Sequence, residues 1–300
     1  MTGGPGRCTI SSIWQAAQIQ GARQYQEDFY AVVENGRLFY KGQNQPLATG
    51  RFPSHLSLFL LTDGMGGMGH GDLAAAAAIE AFIEAFLQLM QPDQSLQAGL
   101  QQSAQMANQA IADLVTEEPL LKGMGCTLIA LVWNNLEQVV EWLSIGDSLL
   151  YLLRRGGWRK LNQEHTLGWL AQTLPPEELP VTKEDLPGLE GLLCSAVDGN
   201  PISHIDQSIQ PLSINPGDIL VIASDGLTTL EEQEIEQIVV SSTTDTGSTS
   251  STNLQRQLQT SLEQMFSLLA QYNRPKQDNT TIILLGFTEA DQGHRTRSNP

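Results

Sequence analysis

Leu58 to Gly71 reads LFLLTDGMGGMGHG, an apolar run that stops at Asp63 and is followed by five glycines within eight residues. A helical stretch opens at Asp72. A short apolar run bounded by glycine is the signature of a buried strand. The glycines let the chain turn sharply and let a ligand approach the backbone. Asp63 is therefore expected at a strand end, with room beside it for a metal ion. Gly64, Gly66 and Gly69 also fit the spacing G-x-G-x-x-G of dinucleotide sites. That reading is set aside. Asp63 puts an anion where a pyrophosphate would lie, and the acid about twenty residues on, Glu84, falls inside a helical run.

Upstream, Ile10 to Gln20 is a first strand, and Phe29 to Val33 a second with Glu27 and Asp28 at its start. Asn35-Gly36 is a strong hairpin turn. Gln43 to Ser54 reads as a surface loop, and Leu56 to Thr62 is the strand that delivers Asp63. Downstream come two helices, Asp72 to Met90 with Asp72 as its cap and Asp93 to Thr116, expected to pack antiparallel. Strands follow at Cys126 to Trp133, Val139 to Ile145, Leu149 to Leu153 and Trp158 to Leu161. Residues 162–190, with Pro175, Pro176, Pro180 and Pro187, read as an irregular or partly helical excursion from the sheet, of the kind that contacts substrate, called the flap below. Leu212 to Ser224 resumes a strand after Asn215-Pro216-Gly217, Leu230 to Val240 is a short helix, Leu254 to Tyr272 a longer one, and 276–287 a closing strand. Residues 241–253 (SSTTDTGSTSSTN) read as a disordered linker, 1–9 as a flexible lead and 288–300 as a polar tail. The pattern predicts one α+β domain over 10–287, a central antiparallel β-sandwich flanked by helix pairs.

The chain has 300 residues, 41% of them hydrophobic, and a formal net charge of -17. No basic cluster points to nucleic acid. Cys8, Cys126 and Cys194 show neither disulfide nor zinc spacing, which suggests a reducing compartment. The first residues lack an apolar signal core, and no apolar segment is long enough to span a bilayer. The expectation is a cytoplasmic monomer.

Five acids sit at strand ends or in turns. Asp28 starts a strand and Asp63 ends one, so antiparallel pairing would bring both to one sheet edge. Asp225 and Asp278 stand in the same relation in the C-terminal half, and Asp147 lies in a turn between two strands. Clustered carboxylates need neutralising, and an all-oxygen donor set suits Mg²⁺ or Mn²⁺ better than zinc. Gly64 offers a backbone carbonyl. Two such ions could hold a hydroxide in line with phosphorus, and Arg23 is the natural phosphate clamp.

Six elements occur in order: RxxxED at Arg23 to Asp28, TDGMGG at Thr62 to Gly67, GCT at Gly125 to Thr127, GDS at Gly146 to Ser148, SDG at Ser224 to Gly226 and DNTT at Asp278 to Thr281. Together they resemble the PP2C (PPM) metal-dependent Ser/Thr protein phosphatases in their bacterial form, over about residues 10–287. The resemblance implies a binuclear Mn²⁺/Mg²⁺ centre at the sandwich edge. Asp63 would bridge both ions, Gly64 would lend its carbonyl, and Asp28 would act through water. Asp225 and Asp278 would hold the second ion. Asp147 with Asp225 would hold a third, weaker one. Glu27 and Asn279 would stand just behind the ligands, Arg23 would take the substrate phosphate, and phosphoserine or phosphothreonine proteins would be the partners. The sequence departs from the family at Met65, where many relatives carry His, and at Gln26, where bacterial members usually carry Asn. Two bland readings stand beside these: His165 as a surface or cap residue, and Thr127 as an ordinary buried strand residue. A catalytically silent binding module is the alternative function.

Overall fold

The computed structural model describes residues 9–47, 52–66, 70–90, 94–182, 185–244 and 250–290. The readings on residues 1–8 with Cys8, on Gly67 and Gly69, on Asp93 and on residues 291–300 lie outside these. Among the described residues fourteen strands run in chain order: β1 Ile10–Ile19, β2 Asp28–Glu34, β3 Arg37–Tyr40, β4 Gln43–Pro46, β5 Leu56–Met65, β6 Gly125–Cys126, β7 Leu128–Asn134, β8 Val139–Ile145, β9 Leu149–Arg154, β10 Gly157–Lys160, β11 Asp206–Gln207, β12 Leu212–Ser213, β13 Ile219–Ala223 and β14 Thr280–Glu289. Among the same residues, five α-helices accompany them: α1 Gly71–Leu89, α2 Leu96–Glu117, α3 Leu167–Thr173, α4 Glu232–Thr244 and α5 Ser251–Tyr272.

The strands form two antiparallel sheets. One has the order β1-β14-β13-β9-β10, the other β11-β8-β7-β5-β2-β3-β4, with β12 beside β8 and β6 beside β5. The side-chain alternation explains why the central strands are apolar throughout. Leu58 and Leu60 face α1 and α2, whereas Phe59 and Leu61 face the other sheet. In β13, Leu220 and Ile222 enter the same inter-sheet layer while Ile219 and Val221 face α4 and α5. Both faces are buried, so no polar residue alternates in, and each such side chain contributes about 1.5–3 kcal/mol of burial. Ala74, Ala75 and Ala78 are fully buried, and their small size lets α1 lie close on β5. The layers run helix pair, sheet, sheet, helix pair, as the pattern of runs predicts.

Several local readings are corrected. Gln43–Pro46 is an edge strand rather than loop: Lys41 and Gly42 both adopt positive φ (50° and 71°), a two-residue hairpin turn like that at Asn35-Gly36. Its polar face suits an unprotected edge, which is why hydrophobicity gave no sign of it. Asp72 does not cap α1. His70 holds the cap position, and the Gly71 amide is satisfied from a distant loop by Glu27 Oε1 at 3.1 Å. Ser95 caps α2, accepting from the Ala98 amide at 3.2 Å. The strand expected over Cys126 to Trp133 breaks at Thr127, whereas the Asn215–Gly217 turn precedes β13 as expected and parts it from β12. There the chain leaves β8 of one sheet and enters the middle of the other. Helices α4 and α5 take residues 241–244 and 251–253 from the segment read as disordered, and 245–249 lie outside the described residues. Among the described residues, no helix is long and apolar enough to cross a membrane.

Candidate active site

The pairing of β2 with β5 places Asp28 opposite Asp63 in register. The pairing of β13 with β14 brings Asp225, just past one strand, beside Asp278, just before the other. The β8–β9 turn adds Asp147. Asp63, Asp147, Asp225 and Asp278 line a single pocket of about 640 Å³ with Arg23, Glu27, Gly64 and Thr127. Arg23 is the one cationic side chain among the described residues lining it, and it is ion-paired to Asp278. Asp28 lies behind the pocket wall, fully buried, and accepts from Ser224 Oγ at 2.7 Å.

The charge of this group is costly. Burial first, then the charges of Asp28, Asp225, Asp147 and Asp278, push the Asp63 carboxyl well above the usual carboxylate range. Burial raises Asp28 to about 7 against the opposing hydrogen bond from Ser224. Burial and then Asp225 raise Asp147 to about 7. Asp225 is raised by burial and then by Asp278. Oδ1 of Asp28 and Oδ1 of Asp225 are buried with no hydrogen-bond partner. An all-carboxylate, electron-rich donor set with orphaned oxygens is what a hard divalent cation satisfies. Among the described residues no three acidic, His or Cys side chains already close into a compact cage. The donors instead line an open wall. That arrangement fits ions that are held by one or two carboxylates and keep several waters.

The surrounding hydrogen bonds fix this wall. Thr127 Oγ1 accepts from the Asp63 amide at 3.1 Å and meets Ser148 Oγ at 2.7 Å. Thr127, buried and backbone-bonded to Asp63 as expected, also ties β5 to the β8–β9 turn through its hydroxyl. Asn279 accepts from the Glu27 amide at 2.7 Å and donates to Gln20 O at 2.7 Å and Tyr25 O at 3.0 Å. One side chain therefore holds the loop that carries Arg23 and Glu27. Asn279→Ala removes three hydrogen bonds and is expected to cost about 3 kcal/mol of stability, read from the denaturant midpoint. Any KM increase should exceed that of an equally destabilising core mutation, because Arg23 loses its anchor.

Other features were not legible beforehand. The flap does not end at 190: residues 191–196 and Asp198 line the pocket, and regular structure resumes only at β11. Gln277 Nε2 donates to Gly226 O at 3.0 Å, joining the two motifs of the C-terminal sheet. His165 is buried, not a surface cap. Cys194, though free and half-buried, lies on the pocket wall, and Cys126 is fully buried beneath it.

Comparison with known proteins now bears on this arrangement. The family model for protein phosphatase 2C matches residues 47–276. The chain belongs to the protein phosphatase 2C family. It is 29% identical over 216 residues to the serine/threonine phosphatase stp of Listeria monocytogenes serotype 4b (strain F2365), covering 70% of this chain and 78% of that one. The serine/threonine phosphatase PstP/Ppp of Mycobacterium tuberculosis superposes with a TM-score of 0.65 at 24% identity, over 93% of this chain and 99% of that one. The PstP catalytic domain in complex with two manganese ions gives a TM-score of 0.63 at 24% identity, over 93% and 100%. At that identity the two solved structures establish the fold alone. The PP2C fold places the rim of the sandwich, and the residues on it are those described above.

Proposed function

We propose that this PP2C protein is a protein serine/threonine phosphatase that uses two Mn²⁺ or Mg²⁺ ions at the carboxylate wall. The observation that carries the reading is the gathering of Asp63, Asp147, Asp225 and Asp278 into one pocket with Arg23 at its mouth. The serine/threonine phosphatase names of its relatives and the two manganese ions of PstP support it. Asp63 would contact both ions and the Gly64 carbonyl one of them. Asp28 would act through water, and Asp225 and Asp278 would hold the second. Asp147 with Asp225 would take a third, weaker ion. Glu27 and Asn279 would hold the ligand loop from behind. Bound divalent ions supply Lewis acidity toward a phosphoryl oxygen and lower the pKa of water to within reach of neutrality.

The chain's own residues do the rest. Arg23 has the planar fork that grips two phosphoryl oxygens, and its half-exposed side chain can reach substrate at the pocket mouth. Its ion pair with Asp278 aims the guanidinium along the wall. Residues 191–196 line the same pocket. Met65 stands where many relatives carry histidine, so this chain supplies no imidazole acid at that position. The free thiols Cys126 and Cys194 support a reducing compartment, and the proposed setting is cytoplasmic, monomeric, with phosphoproteins as partners.

The test is phosphate release from a phosphothreonine peptide with Mn²⁺. Wild type should turn over, EDTA should abolish the reaction, and Asp225→Asn should lower kcat/KM about a thousandfold, ~4 kcal/mol of transition-state stabilisation. Equal turnover by stripped protein would refute the mechanism. Mn²⁺ binding without turnover would favour a silent binding module.

A further inference from the structure

The Asp147 turn is held by a residue far along the chain. His165 Nδ1 accepts from the Gly146 amide at 3.1 Å, and the His165 amide donates back to the Gly146 carbonyl at 2.9 Å. The His165 carbonyl accepts from the Cys194 amide at 2.9 Å, in the flap segment that lines the pocket. Its ring, 2% exposed, lies edge-on to Trp169 of α3 at 5.5 Å and 6.0 Å from His204. His204 is tied to Ser195 by reciprocal bonds of 2.7 and 3.0 Å. One buried residue thus joins the β8–β9 turn, the flap helix and the pocket-side flap segment.

The direction of the ring bond is fixed by chemistry. A backbone N–H only donates, so the nitrogen facing it carries no proton, and the imidazole proton sits on Nε2. The turn also needs holding: Gly146 has φ +98°, a conformation with no preference of its own for this geometry over its neighbours.

We infer that His165 is a positioning residue of this phosphatase. Its unprotonated Nδ1 locks the Gly146–Asp147 turn to the flap, so the placement of the Asp147 carboxylate and of the 191–196 wall are set together. The inference rests on the phosphatase reading for its consequence, not for its geometry. A shift of the flap, as when a phosphopeptide seats against it, would pass through His165 to Asp147.

The test uses two amide replacements. In His165→Asn the side-chain oxygen takes the place of Nδ1, whereas in His165→Gln the amide falls at the position of Nε2. His165→Asn should keep the Gly146 amide protected from hydrogen exchange and keep the weakest Mn²⁺ step in calorimetry within about twofold of wild type. His165→Gln should lose about tenfold in Gly146 protection and weaken that step about tenfold, roughly the worth of one hydrogen bond. Its KM for a phosphothreonine peptide should rise more than its KM for p-nitrophenyl phosphate. A merely space-filling role predicts equal behaviour of the two variants, and that result would overturn the inference. Nitrogen NMR of the wild-type ring gives a reading that needs no variant: a proton on Nδ1 would also overturn it. If wild type releases no phosphate with Mn²⁺, the phosphatase reading fails, while the Gly146 and ring measurements still decide the positioning role.

Discussion

Asp63→Asn is expected to lower kcat/KM by about a thousandfold or more while raising the melting temperature of the metal-free protein. The two effects have one cause. Asp63 is buried among four other acids, and burial and mutual repulsion oppose its charge. Asparagine keeps the shape and removes the charge, so the metal-free fold loses a penalty; a gain of ~2 kcal/mol corresponds to about 5 °C for a chain of this size. The same change removes the carboxylate proposed to contact both ions, which costs several kcal/mol of transition-state stabilisation. Mn²⁺ should then stabilise wild type far more than the variant, since a ligand raises stability only as far as it binds the folded state. Melting curves with and without Mn²⁺, beside phosphopeptide kinetics, measure all three quantities. A variant that is inactive and also less stable without metal would mean that Asp63 is structural.

Gly64→Ala is expected to be the most damaging change that alters no charge. A Cβ at Gly64 would overlap the Gly71 carbonyl oxygen and stand 2.6 Å from the Glu27 carbonyl oxygen. Both are backbone atoms, so no side-chain rotation relieves the clash. The start of α1 must move off β5, and it carries Glu27 with it through the Gly71 amide. The expected cost is about 3 kcal/mol in stability, with activity reduced at least about a hundredfold because the Gly64 carbonyl is displaced. Gly66→Ala is the control. Its Cβ would meet nothing nearer than 3.4 Å, so stability should stay within about 0.5 kcal/mol of wild type. Similar losses in both variants would show that the glycines serve turn flexibility, not the close approach of strand and helix.

The acids were legible because each stands where a strongly apolar run stops. LFLLTDG, DILVIASDG and DNTTIILL announce central strands, and antiparallel pairing then fixes which ends meet. The supporting shell was less legible because hydrogen bonds between distant segments leave no periodic trace. Nothing in the spacing links Asn279 to Gln20, or His165 to Gly146. The QNQP edge strand was missed because its stability comes from the Lys41-Gly42 turn rather than from burial. At 241–244 and 251–253 low complexity read as disorder where the chain is helical, since serine and threonine are acceptable at helix ends where tertiary packing carries the helix. The flap was marked by its prolines, but its pocket-lining end, GLLCSAVDG, is apolar and carries no such mark.

The central claim is that this rim holds more negative charge than the protein alone can stabilise. Metal-free wild type melted as a function of pH tests it most directly. Asp28 and Asp147 are held near 7, above the carboxylate value of 3.8. The folded state therefore binds more protons than the unfolded state between those values, and stability falls as pH rises through the folded values. His165, lowered to about 4 from 6.5 by burial, acts in the opposite sense, but only below about 6.5. The informative window is therefore pH 6.5 upward, to about 8.5. There the melting temperature of the metal-free protein should fall as pH rises, and saturating Mn²⁺ should abolish the fall. A metal-free melting temperature that is flat or rises across that window would contradict the account.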